Sequence, residues 1–68
     1  MNIEKEEEVL KLLEGGKKST TEISAKIKWN HWNTLELLEE IKTQGKIFKI
    51  EENKYVYWEL KKLVNNGR

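Results

Sequence analysis

The chain has 68 residues, a formal net charge of +1, no cysteine and a single histidine. This length fits one domain with a small core, and the lack of cysteine excludes disulfides, thiolate metal sites and cysteine nucleophiles. The near-zero charge hides an asymmetry: residues 1–41 carry a net charge of −3, whereas residues 42–68 carry +4. A polyanion is therefore expected to meet the second half of the chain.

Catalysis and membrane insertion are not expected. The chain has no aspartate, only one histidine and no glycine-rich phosphate loop, so we predict no enzyme activity, no catalytic residue, no metal and no cofactor. No apolar run approaches the roughly 18 residues of a membrane span, and the acidic N-terminus is unlike a signal peptide. We expect a cytoplasmic protein that makes no membrane contact.

The first predicted element is a helix over residues 3–14. Ile3, Leu10 and Leu13 recur at heptad-like spacing and share one helical face. Several glutamates crowd the first turns, where carboxylates favour the helix dipole and solubility. Gly15-Gly16 ends the helix, since glycine accepts a left-handed conformation.

A short second helix is predicted over residues 20–27. Ser19 and Glu22 have the spacing of a capping box, in which a hydroxyl precedes a glutamate by three residues. Ile23 and Ile27 are four residues apart and form one buried stripe. The preceding pair Lys17-Lys18 has the pattern of a solvated loop.

The third predicted helix follows a turn at Lys28-Trp29, with Asn30 as its N-cap and Gly45 as its end. At 100° per residue its core face consists of Thr34, Leu37, Leu38 and Ile41. The opposite face carries Trp32, Glu36 and Glu39. Trp29 is expected in the core, where the turn closes on the first helix.

After Gly45 the pattern changes from helical to alternating. Residues 46–50 and 55–58 are rich in β-branched and aromatic side chains, and residues 51–54 form a polar loop in which Asn53 tolerates positive φ. These segments predict a two-stranded hairpin with Trp58 on its inner face. Three apolar residues then predict a short C-terminal helix: Leu60, Leu63 and Val64. Residues 65–68 are predicted to form a flexible tail.

The segments 20–27, 29–34 and 38–47 together resemble the winged helix-turn-helix superfamily. The resemblance is carried by the spacing of Ile23, Ile27, Trp29, Leu38, Ile41 and Gly45, with the small Ala25 inside the second helix. It implies an α+β, mainly α domain over residues 1–64, a three-helix core with a hairpin wing. It also implies a transcription regulator that binds double-stranded DNA, with helix 3 (about 30–44) in the major groove and the wing (about 46–58) on the backbone.

Carried over position by position, the resemblance assigns two sets of DNA contacts. The base-reading set is His31, Trp32, Asn33 and Glu36. Within it, Asn33 suits adenine, Glu36 accepts from cytosine N4 and His31 donates to guanine. The backbone set is Lys17, Lys18, Ser19, Thr20, Thr21, Lys28, Lys49, Lys54 and Tyr55.

Two other partners are also expected from the sequence. Helix 3 has no arginine, carries three glutamates and points Trp32 outward, which favours a protein-interaction module that docks a partner through Trp32, Leu35 and the acidic face. A second copy of the chain is the other partner. The predicted C-terminal helix either packs on helix 1 or forms the seam of a homodimer, because a core of this size gains from a partner subunit.

Overall fold

Three helices and three strands follow one another along residues 3–61, the part of the chain that the computed structural model describes. The elements are α1 (Ile3–Leu13), β1 (Lys18–Ser19), α2 (Thr20–Ile27), α3 (His31–Thr43), β2 (Ile47–Glu52) and β3 (Tyr55–Leu60). Helices followed by a β-hairpin make an α+β, mainly α fold. The predicted fold class is confirmed.

Both predicted helix caps are present. The Ser19 Oγ accepts a hydrogen bond of 3.1 Å from the Glu22 backbone N–H, and the Asn30 Oδ1 accepts one of 2.8 Å from the Asn33 N–H. These bonds satisfy backbone donors that the first turn of a helix leaves unpaired. Between the two helices, Lys28 takes the left-handed conformation with φ 60°, which turns the chain from α2 into α3.

The end of α3 depends on a glycine. Gly45 has φ 81°, and its N–H donates to the Lys42 carbonyl at 2.8 Å. The Lys46 N–H then donates to the Ile41 carbonyl at 3.3 Å. These two hydrogen bonds end the helix, and the chain continues into β2, as the glycine predicted.

The sheet has three antiparallel strands in the order β1-β3-β2, one more than the sequence predicted. In the additional pairing, Lys18 lies opposite Trp58 and Ser19 opposite Tyr57. Lys18 is half-buried there, so its prediction as part of a solvated loop was wrong. A two-residue strand is too short to show an alternating pattern.

The hairpin is tighter than predicted. β2 continues to Glu52 and β3 begins at Tyr55, so only Asn53 and Lys54 lie between the strands. Their φ values are 48° and 71°, the pair of positive angles that a type I′ turn requires. The expected positive φ at Asn53 is confirmed, whereas the predicted four-residue loop was too long.

The core lies between the helices and one face of the sheet. Its buried residues come from every helix and from β2 and β3: Val9, Leu13, Ile23, Ile27, Leu37, Leu38, Ile41, Ile47 and Trp58. The predicted core face of α3 and the predicted stripe of α2 are both buried. Trp29 is half-buried against this cluster, and the Lys5 Nζ of α1 lies 5.8 Å from its ring centroid.

The buried face of α1 differs from the prediction. Ile3 is 64% exposed, and Glu6 is buried beside Val9 and Leu13. These three residues follow the i, i+3, i+7 row that a helix presents to one neighbour. Glu6 is tolerated there because the Lys46 Nζ donates a hydrogen bond of 2.8 Å to its carboxylate.

The first residue of the predicted C-terminal helix lies in a strand instead. Leu60 belongs to β3 and pairs with Ile47 in the sheet, while Leu63 and Val64 lie outside the described residues. Within residues 3–61, none of the helices has the length and apolar character needed to cross a membrane.

Candidate nucleic-acid interface

The start of α3 presents polar and aromatic side chains that the fold does not use. His31, Trp32, Asn33 and Glu36 are all exposed, and Trp32 retains 75% of its accessible surface. The His31 and Trp32 rings meet edge to face, with centroids 5.8 Å apart and planes at 85°. The structure therefore brings the four predicted base-reading residues together on the first two turns of α3.

The outward stripe of α3 is acidic. At 100° per residue, Trp32, Glu36, Glu39 and Thr43 follow one line opposite the core face. Asn33 lies beside that line, three residues from Glu36. The only lysine of the helix is Lys42, in its last turn.

A three-residue ion-pair cluster joins α3 to β2. The Glu39 carboxylate contacts the Lys49 Nζ at 3.1 Å and the Lys42 Nζ at 3.3 Å. The hydrogen bond from Lys49 is the main cause that holds the pKa of Glu39 below its usual value, with Lys42 adding to it. Lys49, a predicted phosphate contact, therefore shares one carboxylate with Lys42.

The Glu39 cluster was only partly visible in the sequence. Glu39 and Lys42 have the i, i+3 spacing of a helical ion pair. Nothing local links either residue to Lys49, because that contact depends on how the hairpin folds back beside α3.

The structure removes the Thr20 side chain from the predicted backbone set. Thr20 is 5% exposed, and its Oγ1 accepts a hydrogen bond of 2.7 Å from the Trp58 Nε1. The hydroxyl holds the buried indole in place and is not available to a phosphate. No spacing rule could have found this pair, whose members are 38 residues apart.

The other predicted residues around the start of α2 keep polar atoms at the surface. Thr21 is exposed, whereas Lys18 and Ser19 are half-buried. The Ser19 Oγ already accepts the cap bond from Glu22, so its remaining capacity is as a hydroxyl donor.

Lys17 is held on the sheet face away from the helices. Its Nζ donates to the Glu52 Oε1 at 2.9 Å and lies 5.0 Å from the centroid of the Tyr57 ring. The bond to Glu52 is the main cause that raises the pKa of Lys17. Since Tyr57 alternates with the buried Trp58, this lysine points away from the core and is not brought together with the residues of α3.

Of the predicted phosphate contacts, Lys18, Lys28 and Lys54 have no ion-pair partner within residues 3–61. Lys28 precedes α3 by three residues, and Lys54 lies at the tip of the hairpin. Tyr55, next to that tip, is 62% exposed. The positive charges of Lys28 and Lys54 are therefore not compensated by an ion pair within residues 3–61.

Comparison with known families, curated proteins and solved structures found no match to this chain. Within residues 3–61, no group of three histidine, cysteine, aspartate or glutamate side chains is placed to hold a metal ion.

Proposed function

We propose that this chain is a winged-helix protein that binds double-stranded DNA and regulates transcription. The observation that carries the proposal is the first turn of α3, where His31, Trp32 and Asn33 are exposed in succession and stabilise nothing in the core. In helix-turn-helix readers, the N-terminal residues of the second helix contact base edges in the major groove. The cytoplasmic location expected from the sequence belongs to the same proposal.

The phosphate contacts come from lysines outside the exposed face of α3. Lys28 lies at the entry to α3 and Lys54 at the hairpin tip, and both keep their charge uncompensated within the described part of the chain. Three of the five lysines in the predicted backbone set lack an ion pair within residues 3–61, so we expect a salt slope of at most about three.

Two substitutions separate base reading from phosphate contact. Asn33→Ala removes only an exposed amide, and we expect it to weaken binding to a selected site by roughly 1–3 kcal/mol while barely changing the affinity for random DNA. Lys54→Ala is expected to weaken both and to reduce the salt slope by about one. Equal losses on both DNAs for Asn33→Ala would refute its base-reading role.

A protein-docking module is the second candidate, and the exposed Trp32 favours it. The indole lies one turn from Glu36, whose exposed carboxylate has no ion pair within residues 3–61, and this surface suits a basic partner with an apolar pocket. On this reading, Trp32→Ala would abolish capture of the partner and leave weak DNA association unchanged. Loss of DNA binding in the same variant would favour the first candidate instead.

A further inference from the structure

We propose that α3 reads A·T base pairs in the major groove, with Asn33 recognising adenine and Trp32 recognising the methyl group of thymine. This inference rests on the proposed DNA-binding function and names the class of site. The hydrogen-bond donors, acceptors and apolar groups on the first turns of α3 match an A·T pair better than a G·C pair.

Guanine finds almost no partner on this surface. Its major-groove edge offers two acceptors, which arginine or lysine reads. The only lysine of α3 is Lys42, whose Nζ lies 3.3 Å from the Glu39 carboxylate. It follows Asn33 by nine residues, about 13 Å along the helix axis. The carboxylate of Glu36, next to Asn33 on the helix surface, repels the two guanine acceptors, so from a G·C pair it can accept only from cytosine N4.

Asn33 has the groups that adenine requires. Its backbone N–H is fixed by the 2.8 Å bond to the Asn30 side chain, which anchors the residue in the first turn. The side-chain amide is exposed and offers one acceptor and one donor side by side. This arrangement matches the N6 donor and N7 acceptor of adenine.

Trp32 has the apolar surface that thymine requires. Among the four bases, only thymine carries an apolar group in the major groove, its C5-methyl. Trp32 is 75% exposed and lies edge to face against His31, so its apolar surface is open to a partner. His31 reaches guanine with a single ring N–H, whereas an arginine reads both guanine acceptors. A large apolar ring among base edges gains most where it covers a methyl group.

The test starts with selection from duplexes that carry a randomised 12-bp centre, at about 50 mM salt. We expect enrichment of sites with consecutive A·T pairs.

In the preferred duplex, thymine is then replaced by deoxyuridine, which removes only the methyl groups, or adenine by 7-deazaadenine, which removes only N7. Loss of one methyl contact is expected to lower the affinity about fourfold, and loss of the adenine contact about 5- to 150-fold.

Each analogue is matched by a variant. Trp32→Ala is expected to bind the thymine and uracil duplexes equally, and Asn33→Ala to bind the adenine and 7-deazaadenine duplexes equally. Both residues are exposed, so a thermal melt like that of the unaltered protein serves as the folding control. A third duplex with inosine·5-methylcytosine pairs keeps the methyl group and the minor-groove pattern of A·T but presents guanine-like acceptors in the major groove.

The outcomes separate this inference from the function on which it rests. Selection of G·C pairs, indifference to methyl removal, or full binding to the inosine duplex would overturn A·T recognition in the major groove and leave DNA binding intact. Failure to retain any duplex at 50 mM salt would overturn the DNA-binding function itself.

Discussion

The hydrogen bond between Trp58 and Thr20 connects the centre of the sheet to the start of α2. Both residues are buried, and the donor and acceptor are 2.7 Å apart. An indole N–H that loses its partner in a dry core costs about 1–3 kcal/mol. Thr20 is therefore a structural residue, although its neighbours made it resemble a phosphate contact.

Thr20→Val tests this bond with little change in side-chain volume. We expect a loss of about 1–3 kcal/mol in the free energy of unfolding, measured by urea denaturation followed by tryptophan fluorescence. Thr21→Val is the matched control, because the neighbouring threonine is exposed and its loss should stay within about 0.5 kcal/mol. Equal effects of the two substitutions would contradict the assignment.

At the scale of elements, two ion pairs connect helices to the hairpin. Glu6 and Lys46 join α1 to the residue before β2, and the Glu39 cluster joins α3 to β2. Glu6 is the more buried of the two carboxylates, with a side chain that is 10% exposed, while Lys46 is 47% exposed. A buried carboxylate that loses its partner is costly, whereas the exposed lysine is easily resolvated.

Lys46→Ala should therefore destabilise the fold by about 1–2 kcal/mol, because it leaves Glu6 buried without its partner. Glu6→Gln in the same background should restore part of this loss, since a neutral amide tolerates burial better than an unpaired carboxylate. A double-mutant cycle by urea denaturation measures the coupling. Purely additive effects would show that the pair contributes nothing.

The Glu39 cluster leads to a prediction about DNA binding. Glu39→Gln releases Lys42 and Lys49 from their common carboxylate, so we expect tighter binding to random DNA and a salt slope steeper by about one or two. Glu40→Gln changes the net charge equally, but its residue is exposed and has no ion-pair partner within residues 3–61. Fluorescence titrations at several salt concentrations compare the two variants, and identical slopes would contradict the prediction.

The lowered pKa of Glu39 gives the cluster a pH dependence of known sign. The ionised carboxylate is favoured in the folded chain, so its contribution to stability is present above the usual carboxylate pKa and is lost as pH falls through the lowered value. In thermal melts at a series of pH values, Glu39→Gln should therefore lose less stability than the unaltered protein as the pH falls. An unchanged pH profile would show that the cluster does not contribute to folding.

The elements that the sequence predicted well are those whose signal is local. Caps at Ser19 and Asn30, the core face of α3 and the glycine at its end depend on residues within one or two turns. The errors depend on tertiary pairing: β1 exists only because β3 lies beside it, and Glu6 is buried only because Lys46 reaches it. The exposed base-reading set was predictable because surface position follows from helical period. The burial of Thr20 against Trp58 and the ion pair of Lys49 with Glu39 were not, since both involve residues distant in sequence.

At the scale of the whole molecule, the small core and the near-neutral net charge bear on whether the chain forms a dimer. The homodimer expected from the sequence remains a proposal, with part of its predicted seam outside the described residues. A dimer would present two copies of α3 about 34 Å apart to a pseudo-palindromic site. Sedimentation equilibrium is expected to give twice the chain mass of 8.1 kDa, with a melting temperature that rises with concentration. A mass of one chain at every concentration would exclude the dimer.

The central claim is that the exposed start of α3 meets DNA, and Trp32 reports on it directly. The measurement is a titration with a mixed-sequence duplex, followed by tryptophan fluorescence at about 50 and 200 mM salt. We expect a quench that weakens as salt rises and that Trp32→Phe largely removes, because Trp29 is half-buried and Trp58 is buried. No change in fluorescence at 50 mM salt, or a full quench in Trp32→Phe, would contradict the account.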